Sequence, residues 1–92
     1  MAALAEMLIR RHIAMLRQHQ DPQRIAALLE RSGLRAENER VTSSEGASVD
    51  EEHCYHYKAA VRSLFGDAAY SFARVNFILG GCGCRDCKTP RR

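Results

Sequence analysis

The chain contains no apolar run near the ~18 to 20 residues that a bilayer-spanning helix requires, so no integral membrane protein is expected. Internal repeats and long low-complexity tracts are also missing. Charged and polar residues, Glu6, Arg10, Arg11 and His12, interrupt the apolar pattern of residues 1–16, so a secretory leader is not expected. A mitochondrial presequence over residues 1–19 is a weaker alternative, against which Glu6 counts. Neither His-Glu-x-x-His nor the His-x-Glu with Cys-x-x-Cys of zinc deaminases occurs. Glu51 and Glu52 before His53 read instead as helix-start acids. A thiol redox role for Cys84-x-x-Cys87 would need a strand-to-helix element that the pattern does not show. No enzymatic activity is expected.

Ninety-two residues suit one domain, and a chain of that length buries only roughly 60 to 65 per cent of the surface its unfolded form exposes. Such thin cores lean on a metal, a disulfide or a partner. The net charge of +3 is modest but uneven. Acids gather at Glu45, Asp50, Glu51 and Glu52, whereas Arg85, Lys88, Arg91 and Arg92 make the end of the chain basic. The bland explanation is a solvated surface; the sharper one is contact with nucleic acid or an acidic protein through those four residues.

Three of the four cysteines fall in Gly80-Gly81-Cys82-Gly83-Cys84-Arg85-Asp86-Cys87, a Cys-x-Cys-x-x-Cys cluster on a glycine-rich turn. A tetrahedral zinc ion takes four Cys or His ligands, and such a turn can wrap three thiolates round one ion. The fourth ligand is sought in His53-Cys54-Tyr55-His56. Cys54 is preferred, with His53 next and His56 less favoured because it points further round the helix. Disulfides are the alternative, but Cys82 and Cys84, separated only by Gly83, would form a strained ring. Thiolate metal binding fits a reducing interior, so a cytoplasmic or nuclear location is expected.

Leu4, Leu8, Ile9, Ile13 and Leu16 recur at helical steps over residues 2–19, with Glu6, Arg10 and Arg17 placed opposite. Asp21-Pro22 restarts the chain as an N-cap followed by a first-turn proline. A second helix with Ile25, Leu28 and Leu29 should run to about Ser32, ending on Gly33 with φ > 0. Residues 35–47 lose the apolar pattern and read as a flexible linker, or as a frayed helix over 35–41. Ser48-x-x-Glu51 has the form of a capping box for a third helix. Its stripe comprises Tyr57, Ala60, Val61, Leu64 and Phe65 and continues back through His53 and Cys54. Gly66 breaks that helix, Asp67 is the expected N-cap of the next, and residues 68–79 are apolar on most sides, as a central helix would be.

The metal half-sites decide the architecture. In one continuous helix Cys54 and Cys82 would lie roughly 40 Å apart at ~1.5 Å per residue. A reversal at Gly66-Asp67 gives two equal arms and brings the cysteines together. The expected fold is therefore all-α: a four-helix domain of two helical hairpins, residues 1–34 and 48–87, the second clamped by structural zinc, with residues 88–92 a basic tail.

The three-cysteine spacing resembles that of the zinc modules of polyomavirus small tumour antigens. A helix running into a Gly-Cys ligand cluster tied to an earlier helix also looks like small lentiviral accessory proteins. Both likenesses are confined to the cluster and its helix, and they imply zinc. The expected function is that of a small zinc-binding adaptor or regulator acting through protein contacts, compact like many host-directed phage and viral proteins. A homodimer through residues 1–34 is an option. The alternative is nucleic-acid binding by the basic tail and the arginines of the first helix. Residues 22–34 look like the start of a helix-turn-helix, but Arg35 to Ser44 is too poor in apolar residues to supply a recognition helix.

Overall fold

The computed structural model describes residues 4–37 and 40–88. Its elements are α1 (Leu4–Leu16), α2 (Pro22–Arg31), β1 (Leu34–Glu37), β2 (Arg40–Ser43), α3 (Glu51–Phe65), α4 (Asp67–Leu79) and the single turn α5 (Arg85–Lys88). The fold is mostly helical with a two-stranded antiparallel sheet, and this corrects the all-α expectation. Residues 35–47, expected as a linker, supply most of that sheet. Leu34 pairs with Ser43 and Ala36 with Val41 across the hairpin. Among the described residues no helix is long and apolar enough to cross a membrane.

Local chemistry accounts for the helix boundaries. The Asp21 carboxylate accepts the Gln23 N–H at the start of α2, and Pro22 fills the first turn. Gly33 turns the chain out of α2 with φ 69°, a region where a side chain would be strained. The α3 cap differs from the expected Ser48–Glu51 box. Asp50 is the N-cap, its carboxylate accepting the His53 N–H while His53 Nδ1 accepts the Asp50 N–H. At the next break Gly66 itself, with φ 100°, precedes α4. Asp67 lies inside the helix and pairs with Arg62 at 3.0 Å, so it is not the cap.

The helix α3 is the hub. Cys54, Tyr57, Lys58 and Val61 on its inner face are all fully buried. Against it α4 runs antiparallel: the Arg62 guanidinium lies 3.9 Å from the Tyr70 ring centre, and Tyr57 stacks on Phe77 at 5.8 Å. The N-terminal helices do not form the expected hairpin by packing on each other. The main neighbours of α1 are β2 and α3, and those of α2 are α3 and β1.

Two buried polar groups on α1 explain this arrangement. Glu6, expected on the solvent side, is 5 % exposed. Its carboxylate accepts Arg40 Nε and the Val41 N–H, both at 2.9 Å, which fastens the hairpin to α1. The Arg40 hydrogen bond and the Val41 N–H hold its pKa below the ordinary value against the opposing effect of burial.

His12 is the second. It is buried, 2.5 Å from the Tyr57 hydroxyl, and edge-on to Tyr57 and Phe77. Burial pushes its pKa down from 6.5 to about 4. The folded protein therefore keeps His12 neutral where the unfolded chain protonates it. Its contribution to stability is complete above the unfolded pKa and is lost as pH falls towards the folded one. From pH 7 to 5 the linked loss is about 2 kcal/mol. Denaturant titrations at both pH values should show this loss, and His12→Asn should flatten it; an equally steep dependence in the variant would refute the assignment.

The helix α4 is not the central helix that its composition suggests. Only Tyr70, Ala73 and Phe77 are buried along it. Phe72, Val75, Ile78 and Leu79 remain exposed, Leu79 at 81 %.

Candidate metal centre

The cluster begins where α4 stops. Gly80 packs so closely on α1 that an added Cβ would lie 2.3 Å from Leu8 Cδ2 and 3.3 Å from the Asn76 carbonyl oxygen. Gly81 takes φ 93°, and the Cys82 N–H reaches back to the Phe77 carbonyl at 2.9 Å. The chain then closes into α5, with the Lys88 N–H bonded to the Cys84 carbonyl. The effect is to turn the sulfurs of Cys82, Cys84 and Cys87 towards one point. All three lie within 4.8 Å of one another, and the cysteines form no disulfide. The donor set is compatible with a metal ion.

Of the residues considered for a fourth ligand, Cys54 lies beside the cluster, outside the group of three sulfurs that are within 4.8 Å of one another. It is fully buried on α3, and its thiol interacts with that of Cys82 while also lying 3.9 Å from the Ala5 carbonyl. His53 is engaged in the α3 cap, with Nδ1 2.9 Å from Asp50 Oδ1. His56 faces outward, its Nε2 3.9 Å from Glu52.

Lys58, which sequence reasoning missed, occupies the floor of the site. Its side chain is fully buried. Nζ lies 2.7 Å from Cys87 Sγ, 3.1 Å from Cys84 Sγ and 3.0 Å from Asp86 Oδ2. A lysine is almost never fully buried unless it is paired. Burial disfavours its charge, but the bonds to Cys87, Cys84 and Asp86 outweigh that and raise its pKa. Asp86 is held in turn by the Tyr70 hydroxyl at 2.7 Å and by Arg74 Nε at 3.5 Å. A signal was present: Lys58 falls at i+4 from Cys54, within the helical stripe that runs on to Val61.

The sulfurs do not titrate alike. Burial pushes Cys54 and Cys87 up to about 12 and Cys82 up to about 11. Cys84 is also opposed by burial, but the Cys87 N–H and the Lys58 ammonium bring it below its ordinary value. Cys84 is therefore the thiol most ready to ionise. A metal ion entering here would displace protons from the others, and its affinity would rise with pH.

The basic residues expected at a nucleic-acid contact are only partly accounted for. Arg85 pairs with Glu52 at 3.2 Å and stacks over Tyr55 at 3.8 Å. Lys88 is exposed at the end of α5, while Arg91 and Arg92 lie outside the described residues.

The fold and cluster define a small helical protein with a tri-cysteine site and a packed β-hairpin. No protein-family model, curated protein or solved structure matches it.

Proposed function

We propose that this is a non-enzymatic interaction protein, an adaptor or regulator whose C-terminal hairpin is clamped by zinc bound to Cys54, Cys82, Cys84 and Cys87. Four thiolates would close a tetrahedral shell, as structural rather than catalytic zinc sites do. Lys58 would then serve as an outer-shell donor to two of the sulfurs and offset part of the formal −2 charge of a four-thiolate centre.

The observation that carries the interaction reading is the uncovered side of α4. Phe72, Val75 and Leu79 are spaced by three and four residues, the step of a helix–helix seam. Ile78 widens this apolar face, and an exposed patch of this kind marks a contact surface. The occupant proposed is α4 of a second copy, because an antiparallel pair of such seams is self-complementary. The dimer seam is thus placed on α4 rather than on residues 1–34.

Sedimentation equilibrium of the zinc-loaded protein tests this arrangement. The wild type should behave as a dimer, and Val75→Glu as a monomer with the same metal content and helical circular dichroism. A monomeric wild type, or a Val75→Glu dimer, would refute the seam.

A further inference from the structure

A second surface takes none of its lining from the cysteines or from α4. Between α1 and the hairpin runs a groove of about 480 Å³, lined by Met7, Ile13, Ala14, Ala36 and Val41 and by four arginines, Arg10, Arg11, Arg17 and Arg40. Its floor is firm, with Ile13 2 % and Val41 3 % exposed. Met7, Arg10 and Ala14 follow one another at helical steps along α1, and Arg17, just past its end, continues the helical turn with its N–H bonded to the Ile13 carbonyl at 2.9 Å. Arg10 and Arg17 are therefore about 10 Å apart along the axis, two turns of helix. Arg11 and Arg17 have no ion pair among the described residues. One carboxylate is already held beside the groove: Glu6 takes two guanidinium nitrogens of Arg40, at 2.9 and 3.3 Å, together with the Val41 N–H.

We infer that this groove binds an acidic, amphipathic peptide segment of a partner protein. Its carboxylates would meet Arg10, Arg11 and Arg17, and its apolar side chains would cover Met7 and Ala14, which are exposed, and the half-buried Ala36. Guanidinium groups suit this task because they take carboxylates in a two-pronged geometry. A helical segment with acids seven residues apart and apolar residues between them matches the two-turn spacing. Nucleic acid fits less well. Among the described residues no aromatic side chain lines the groove to stack a base, and phosphate contacts alone would leave Met7 and Ala14 in water. A small amphiphile is also disfavoured, since Met7, Arg11, Ala14 and Arg17 leave the groove open, whereas small-ligand sites enclose most of the ligand. The inference rests on the reading that the protein acts through protein contacts, but it depends on neither the α4 seam nor the identity of the metal.

The test is selection from a random peptide display library on the metal-loaded protein, followed by anisotropy titrations of the enriched peptides. Enriched sequences should pair Asp or Glu with apolar residues at helical spacing, and their affinity should fall as salt rises. The double variant Arg10→Glu, Arg17→Glu should weaken binding about tenfold or more, while Val75→Glu leaves it unchanged. Should the reversal disturb the helical signal, Arg11→Gln with Arg17→Gln provides the milder comparison and should weaken binding in the same direction. Enriched peptides without acids, binding that survives the arginine substitutions, or displacement by oligothymidine more effective than by the peptides would each overturn the assignment. Peptides that respond to Val75→Glu alone would overturn the groove while leaving the protein-contact reading in place.

Discussion

Cys84→Ser should lose stoichiometric zinc and, with it, the cooperative melting of the α3–α4 hairpin. Cys84 is almost completely buried, accepts from Lys58 Nζ, and is the thiol whose pKa is drawn down. A serine there offers no soft ligand and leaves the buried ammonium without one of its acceptors. In a domain with so thin a core, free energy of metal binding is folding free energy, and structural zinc contributes on the order of 10 kcal/mol in small zinc-dependent folds. The measurement is metal content per chain with circular dichroism before and after a strong chelator. Cys54→Ser should follow Cys84→Ser, whereas His56→Ala should remain close to wild type and His53→Ala should lose only a helix cap, about 1 kcal/mol. Full metal content and unchanged melting in Cys84→Ser would remove the clamp. A His56→Ala defect larger than that of Cys54→Ser would mean that α3 sits in a different register.

Lys58→Met is the second substitution with a large expected effect. The lysine carries a charge with no solvent contact, placed between two thiols and a carboxylate that itself accepts from the Tyr70 hydroxyl and lies 3.5 Å from Arg74 Nε. Methionine has nearly the right volume but leaves Asp86 and the sulfurs facing one another without their central cation. Removing one partner from such a buried charged group costs about 3 to 5 kcal/mol. Lys58→Arg should not rescue it, because a planar guanidinium cannot replace a compact ammonium inside a packed floor. Denaturant unfolding of the zinc-loaded protein, paired with competition against a chromophoric chelator, separates the effects on fold and metal. Wild-type stability and zinc affinity in Lys58→Met would show that the charge is dispensable to the centre.

Both expectations depend on contacts whose visibility in the sequence differs. The reversal at Gly66 was legible because a helix breaker divides two apolar stripes of equal length and only an antiparallel return lets the cysteines meet. The Asp21-Pro22 start and the Gly33 exit were legible for similarly local reasons. The hairpin was not. Each strand has four residues, Val41 is the only large apolar side chain between Arg35 and Ala47, and the strands become stable where Glu6, far back in the chain, accepts the Val41 N–H. Periodicity carries no trace of such a contact. The exposed face of α4 was hidden for the opposite reason: an apolar composition says that a helix can be covered on most sides, not which side its own chain covers.

The sequence by itself determined where the helices break, which three sulfurs share a turn, and that the chain reverses between Cys54 and Cys82, because caps, breakers and ligand spacing act within a few residues. Tertiary structure alone decided that Lys58 lies beneath the sulfurs, that Glu6 and His12 are buried rather than solvated, and that α3 rather than α4 is the hub. Those outcomes follow from which faces meet when all elements compete for one small core, and no local pattern encodes that competition.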